Sequence, residues 1–272
     1  MTSVPDRRSS PHTTAPDSDG DGDGVDVGDR GRGSGSGRDK GDSGHPEGPS
    51  AAAGARTRIL APFALPLGLL SLFALLTWQA AVDTPLRRAD ERLARTVADS
   101  RLPEGAAEFL ADLGNVAVAV PVLLAVAAYV AWRARRAALP RWWLPPLAAL
   151  ALMALVPVLV VPLKEAVGRT GPPGTAGDGY YPSGHTATAA VAYGAAVLLL
   201  LPWLSDRYLR RELTIACVLL VAAVGYGLVR RGYHWPLDVA GSWCLGAALL
   251  LGLSTVLARS GTAVPGAGAR PE

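Results

Sequence analysis

Large apolar side chains are distributed very unevenly along this chain, and that unevenness most constrains its fold. Residues 1 to about 55 hold almost none, whereas the remainder carries several apolar runs close to the roughly 20 residues that cross a bilayer. The 272-residue chain is 50% hydrophobic, an average that by itself would suggest a soluble protein. The segregation points instead to an integral membrane protein. Six runs read as spans: Ile59–Val82, Val116–Trp132, Pro145–Leu163, Ala187–Leu204, Ile215–Val229 and Leu237–Leu257. The expected fold is therefore all-α, a polytopic bundle of six transmembrane helices. Pro62, Pro66, Pro157 and Pro162 lie within or near these runs, which membrane helices tolerate when neighbours satisfy the freed backbone.

The expected organisation has three parts: a disordered tail over 1–56, a membrane domain over 57–259 and a second disordered tail over 260–272. The first tail is rich in Gly, Ser, Asp and Pro and lacks the apolar core of a cleavable signal peptide. Within it, Asp17-Ser18-Asp19-Gly20-Asp21-Gly22 mimics half of a calcium loop, but Gly28 stands where the twelfth-position glutamate belongs. A solvated acidic linker is the better account. Between the first two spans, residues 83–115 mix charges with Leu86, Leu93, Val97, Phe109 and Leu110 at helical spacing, the pattern of amphipathic helices lying at the interface. Pro103 and Gly105 mark a turn inside that segment.

Arginine placement gives the orientation. Arg56 and Arg58 precede the first span, Arg133, Arg135, Arg136 and Arg141 follow the second, and Arg207, Arg210 and Arg211 follow the fourth. The positive-inside rule puts these segments, and both termini, in the cytoplasm. Arg87, Arg88, Arg92, Arg95 and Arg101 on the other side oppose that assignment. A net charge of only +3 leaves no nucleic-acid footprint, so none is expected as a partner. Cys217 and Cys244 fall inside apolar runs and read as small buried residues.

Of four histidines, His12 and His45 lie in the first tail. The others are His185, in Tyr181-Pro182-Ser183-Gly184-His185, and His234, in His234-Trp235-Pro236-Leu237-Asp238. Two spans separate them, so parity puts both on one face of the membrane, the outer one. Ser183 is placed to cap the fourth span, and the same helix start suits a phosphate, because free N–H groups and the positive dipole end converge there. Pro236 suits a first helical turn, which sets His234 and Asp238 on one face. An aspartate so placed holds one imidazole nitrogen protonated and leaves the other nucleophilic. Lys164, at the end of the third span, and Arg169 are basic groups near the same face; each has the alternative role of an interfacial anchor.

Lys164 … Pro172, Pro182-Ser183-Gly184-His185 and His234-x3-Asp238 resemble the three signature motifs of the PAP2 (type 2 phosphatidic acid phosphatase) superfamily, over roughly Val116–Leu251. The resemblance implies a six-helix membrane phosphatase that needs no metal and no cofactor. It implies His234 as the nucleophile that forms a phosphohistidine, Asp238 as its orienting partner and His185 as general acid and then base. Lys164, Ser183 and the Gly184 amide would hold phosphate oxygens. The sequence departs from the family pattern twice. Gly171 stands where the first motif has arginine, and Gly227-Leu228 stand where the third has Ser-Arg. Arg169, Arg230 and Arg231 are the nearby substitutes. At about 100° per residue position 231 returns to the face of 228 while 230 points away, which favours Arg231.

The expected function is hydrolysis of a lipid phosphate or diphosphate at the outer leaflet, with undecaprenyl diphosphate, phosphatidic acid and phosphatidylglycerol phosphate as candidate substrates and the bilayer as the other partner. Two alternatives stand beside it. One is a PAP2-like protein that binds lipid phosphates without turnover. The other is a six-span transporter, which would place a charge near a span centre; the sequence places none there. Oligomeric state is not encoded in these features.

Overall fold

The structure, a computed structural model, describes residues 49–259, with side chains from residue 64. The calcium-like hexapeptide, the tail up to Gly48 and the tail from residue 260 lie outside the described residues. Among the described residues the regular structure is all helical. In chain order the helices are α1 (Pro49–Ala81), α2 (Pro85–Ala98), α3 (Glu104–Asp112), α4 (Val116–Arg136), α5 (Leu144–Val167), α6 (Gly184–Leu200), α7 (Arg207–Arg230) and α8 (Pro236–Arg259), with a 3-10 turn at Leu201–Trp203. Six of them, α1 and α4 to α8, contain segments long and apolar enough to cross a membrane, as the runs predicted.

The ends differ from the apolar runs for identifiable reasons. α7 begins at Arg207, eight residues ahead of the expected start at Ile215, because Asp206 caps it: its Oδ1 accepts the Tyr208 N–H at 2.8 Å. Charged turns that prolong a helix into the headgroup zone are invisible to a reading based on apolar runs. α6 likewise begins at Gly184, where Ser183 caps it. The interfacial segment forms two helices, with Thr84 capping α2 and Pro85 at its first position. The break between them lies before Pro103, and Gly105 is inside α3.

α6 is the axis of the bundle: 72% of its span is buried, against 6% for α1. Its inward positions are small, with Ala187, Ala189, Ala190, Ala192, Ala195 and Ala196 all buried, and small residues let membrane helices approach closely where no hydrophobic effect drives them together. α4, α5, α7 and α8 pack around it, α1 lies on α8 and α3 lies on α7. Leu67 of α1 and Val158 of α5 are 65% and 64% exposed, which suits hydrocarbon and not water. The amphipathic face of α2 is not the one its leucines suggest. Leu86 and Leu93 point outward, while Asp90 and Ala94 are buried against α7 and α8.

Candidate active site

Three chain turns at one end of the bundle bring the polar residues together. The first follows α5. Gly168 takes the left-handed conformation, φ 57°, that closes many helices, and its N–H returns to the Lys164 carbonyl at 3.0 Å. The loop that follows doubles back, with the Tyr180 N–H donating to the Arg169 carbonyl at 3.0 Å. Lys164 Nζ then donates to the Gly179 carbonyl at 2.8 Å, so its ammonium is held beside the start of α6.

The second turn opens α6 with Gly184 and His185. The third joins α7 to α8. Gly232, φ 69°, reverses the chain, and α8 starts at Pro236. Asp238, in its first turn, accepts the Trp235 N–H at Oδ2, 3.0 Å, which is half of a capping box. The same oxygen lies 3.2 Å from His234 Nδ1. The helix cap and the imidazole orienter are thus one carboxylate. With Nδ1 protonated toward Asp238, the Nε2 lone pair is free. Tyr180 packs edge-on to the imidazole, with ring centroids 5.8 Å apart.

Lys164, Gly184, His185 and His234 line one cavity of about 800 Å³, so the two histidines that parity assigns to one face share one site. His185 is exposed to that cavity, and a Cβ at Gly184 would meet nothing within 4 Å. Below the polar end the wall is apolar: Val116 and Val120 of α4 face Leu150, Met153, Pro157 and Val161 of α5. Leu150 to Lys164 spans roughly 21 Å at 1.5 Å per residue. The arginine and tryptophan belt lies at the other end of the bundle, with Arg136 over Trp132 at 4.6 Å and Arg133 over Trp203 at 4.7 Å.

Three residues expected to bind phosphate are placed elsewhere. Ser183 is fully buried, and its Oγ accepts from the Thr186 N–H at 3.3 Å and from the Thr186 hydroxyl at 3.0 Å; its hydroxyl serves the helix and not the cavity. Arg231 caps α7, but its guanidinium reaches α3, with Nε 2.6 Å from Glu108 and Nη1 3.2 Å from Glu104. Arg169 is 3% exposed and lies between two carboxylates, Nη1 2.6 Å from Asp238 Oδ1 and Nη2 2.6 Å from Asp90 Oδ2. Both terminal nitrogens are thus held by carboxylates, while its buried Nε–H has no hydrogen-bond partner.

Asp90 is the residue that sequence reasoning missed. It is 5% exposed, and its Oδ1 accepts the Leu237 N–H at 2.8 Å, one of the free donors at the start of α8. Burial pushes its carboxyl above the ordinary range, offset by the hydrogen bond and charge of Arg169. The available signal was a single acid on the same face of α2 as Ala94 and Val97, a costly location unless paired.

The two departures from the motif pattern are built into the packing. A side chain at Gly171 would run into Thr175 Oγ1 and the Tyr180 ring. A Cβ at Gly227 would come within 2.7 Å of the Ala107 carbonyl oxygen, because α3 and α7 touch there backbone to backbone, and Leu228 is 1% exposed in the core.

Residues 145–261 match the family model described as the PAP2 superfamily. No curated protein matches the chain. Among solved structures, the chain is similar to a transmembrane PAP2 type phosphatidylglycerolphosphate phosphatase from Bacillus subtilis, with a TM-score of 0.61 and 25% identity over 72% of this chain and 96% of that one. Both similarities support a phosphatase role. The fold, the motif residues and these matches agree: the chain is a multi-pass membrane protein that is similar to the PAP2 superfamily over residues 145–261.

Proposed function

We propose that this protein removes a phosphate from a lipid phosphate or diphosphate at the outer leaflet of the membrane, through a phosphohistidine. The observation that carries this reading is the single cavity in which His185, His234, Lys164 and the start of α6 meet an apolar groove between α4 and α5. A phosphorylated headgroup fits the polar end while its tail stays in hydrocarbon. The outward orientation rests on the arginines gathered at the opposite end of the bundle.

In the first step His234 Nε2 attacks phosphorus, a P–N bond forms and the P–O bond to the lipid breaks as His185 donates its proton to the leaving oxygen. In the second, His185 takes a proton from water, the water oxygen bonds to phosphorus, the P–N bond breaks and inorganic phosphate leaves. Asp238 keeps the Nδ1 proton of His234 in place through both steps. Lys164 and the first amides of α6 offset charge on the equatorial oxygens. This reading assigns that task to the protein's own groups and not to a metal ion.

Polyprenyl diphosphates, phosphatidic acid and phosphatidylglycerol phosphate are the candidate substrates, and the apolar groove between α4 and α5 offers a place for their tails. The absence of arginine at 171 and 228 favours a second reading, a protein that holds lipid phosphates without turning them over. A phosphate-release panel over these lipids, with chelator present, separates the two. Release that disappears in His234→Ala supports the phosphatase, whereas tight binding with no release supports the binder.

A further inference from the structure

We propose that Asp90, on the interfacial helix α2, is a positioning residue for the nucleophile, acting through Arg169 on Asp238 and so on the His234 ring. This inference rests on the catalytic reading of His234 given above. It is carried by an unbroken chain of buried contacts. Asp90 Oδ2 lies 2.6 Å from Arg169 Nη2, Arg169 Nη1 lies 2.6 Å from Asp238 Oδ1, and Asp238 Oδ2 lies 3.2 Å from His234 Nδ1. The four residues are 5%, 3%, 0% and 8% exposed in that order. Three elements distant in sequence supply them: α2, the loop after α5 and the start of α8.

Asp90 grips the His–Asp turn twice. Its Oδ1 accepts the Leu237 N–H at 2.8 Å, which fixes the first turn of α8 directly. Its Oδ2 fixes Arg169, whose guanidinium also lies 5.6 Å from the centre of the Trp235 ring, and the Trp235 indole donates to the Thr170 carbonyl at 3.0 Å. The imidazole therefore follows α2 through two independent paths.

The charges matter as much as the positions. One guanidinium between two carboxylates leaves a net negative charge in a buried site. That charge offsets the positive charge that develops on the His234 ring as it takes up the phosphoryl group. Without Asp90, Arg169 would turn its whole charge on Asp238 and weaken the acceptor that holds Nδ1–H. The other charged or titratable groups around His234 are Lys164 of α5, His185 of α6, Glu91 and Arg95 of α2 and Tyr180 of the loop. Tyr233 and Arg231 at the end of α7 are occupied by Glu108. Glu91 is half-buried beside the second cavity that His234 borders, but unlike Asp90 it has no bond to Arg169 or to α8.

The test uses the full-length protein in detergent, with kcat and KM for phosphate release measured on dioleoyl phosphatidic acid and farnesyl diphosphate. Asp90→Asn is expected to lower kcat about ten- to a hundredfold with KM little changed. Asp90→Glu, which keeps the charge and both acceptor oxygens, should recover most of the lost kcat. A normal kcat, or a loss that Asp90→Glu does not relieve, would overturn the proposal and leave Asp90 as a brace for α2. Should the Asn variant fail to accumulate, Arg169→Lys takes its place. Its single nitrogen cannot reproduce the two-nitrogen bridge from Asp90 to Asp238, so the same loss at constant KM is expected, and an unchanged kcat overturns the relay. Wild-type protein without release, or release that survives His234→Ala, would instead sink the phosphatase reading and this inference with it.

Discussion

Arg231 Nε donates to Glu108 Oε2 at 2.6 Å, so the residue that helical periodicity favours as a phosphate ligand is a fastener between α7 and α3. It lies outside the wall of the cavity that holds both histidines. Replacing it by alanine should leave kcat/KM for lipid phosphate within about twofold, as for other partly exposed ion pairs. A loss of a hundredfold with a matching rise in KM would mean that the side chain leaves Glu108 to meet the substrate.

The same contact has a pH signature. Hydrogen bonding from Tyr233, followed by that from Arg231, holds the Glu108 carboxyl below its ordinary value of 4.5. A carboxylate whose folded pKa is depressed stabilises the folded state above the ordinary value, and the benefit fades as pH falls through the folded one. Glu108→Gln should therefore melt earlier than wild type at neutral pH, with the gap closing as pH falls below 4.5 through the depressed folded value. Thermal unfolding in detergent at several pH values measures this. An equal gap at both ends of the range would count against the ion-paired geometry.

Restoring the family's arginine in the first motif should harm this protein. Even a Cβ at Gly171 would stand 2.6 Å from the Tyr180 ring, and Tyr180 in turn packs on His234. Gly171→Arg is expected to displace Tyr180 and lower turnover tenfold or more, because small misplacements of a reacting group are costly. A variant faster than wild type would show that the loop opens to admit arginine, and that the glycine is a loss rather than an adaptation.

The groove between α4 and α5 gives a prediction about substrate length. Ala154 lines it well below the histidines, so Ala154→Trp should obstruct a tail without touching the polar end. KM for a long-chain lipid phosphate should rise at least tenfold, while a short soluble phosphate ester should be hydrolysed at the wild-type rate. Equal effects on both substrates would place the tail elsewhere.

Much of this protein is legible in one dimension, for physical reasons. A bilayer imposes length and hydropathy on every spanning helix, so the six crossings can be read from apolar runs, and parity alone sets His185 and His234 at one end. The spacing of His234 and Asp238 is a property of one helical turn, which is why their contact is readable too. The groups that surround them are another matter. Arg169, Arg231 and Ser183 carry the chemistry of phosphate ligands, yet each is claimed by a nearer partner: two carboxylates, the acids of α3 and the amide of Thr186.

Composition and periodicity report what a side chain can do, and they report its partners only within a turn or two of the same helix. Asp90 lies 79 residues from Arg169 and 147 from Leu237. No local pattern joins those three positions. Their meeting follows from the way α2 folds back over the start of α8, where burial obliges a lone acid to find both a cation and a helix end. The amino-acid order thus settled the membrane crossings and the His–Asp pair, because those are governed by the solvent and by helix geometry. The packing of non-adjacent helices decided which basic residue faces the cavity, because buried charges go to whichever counter-charge lies closest in space.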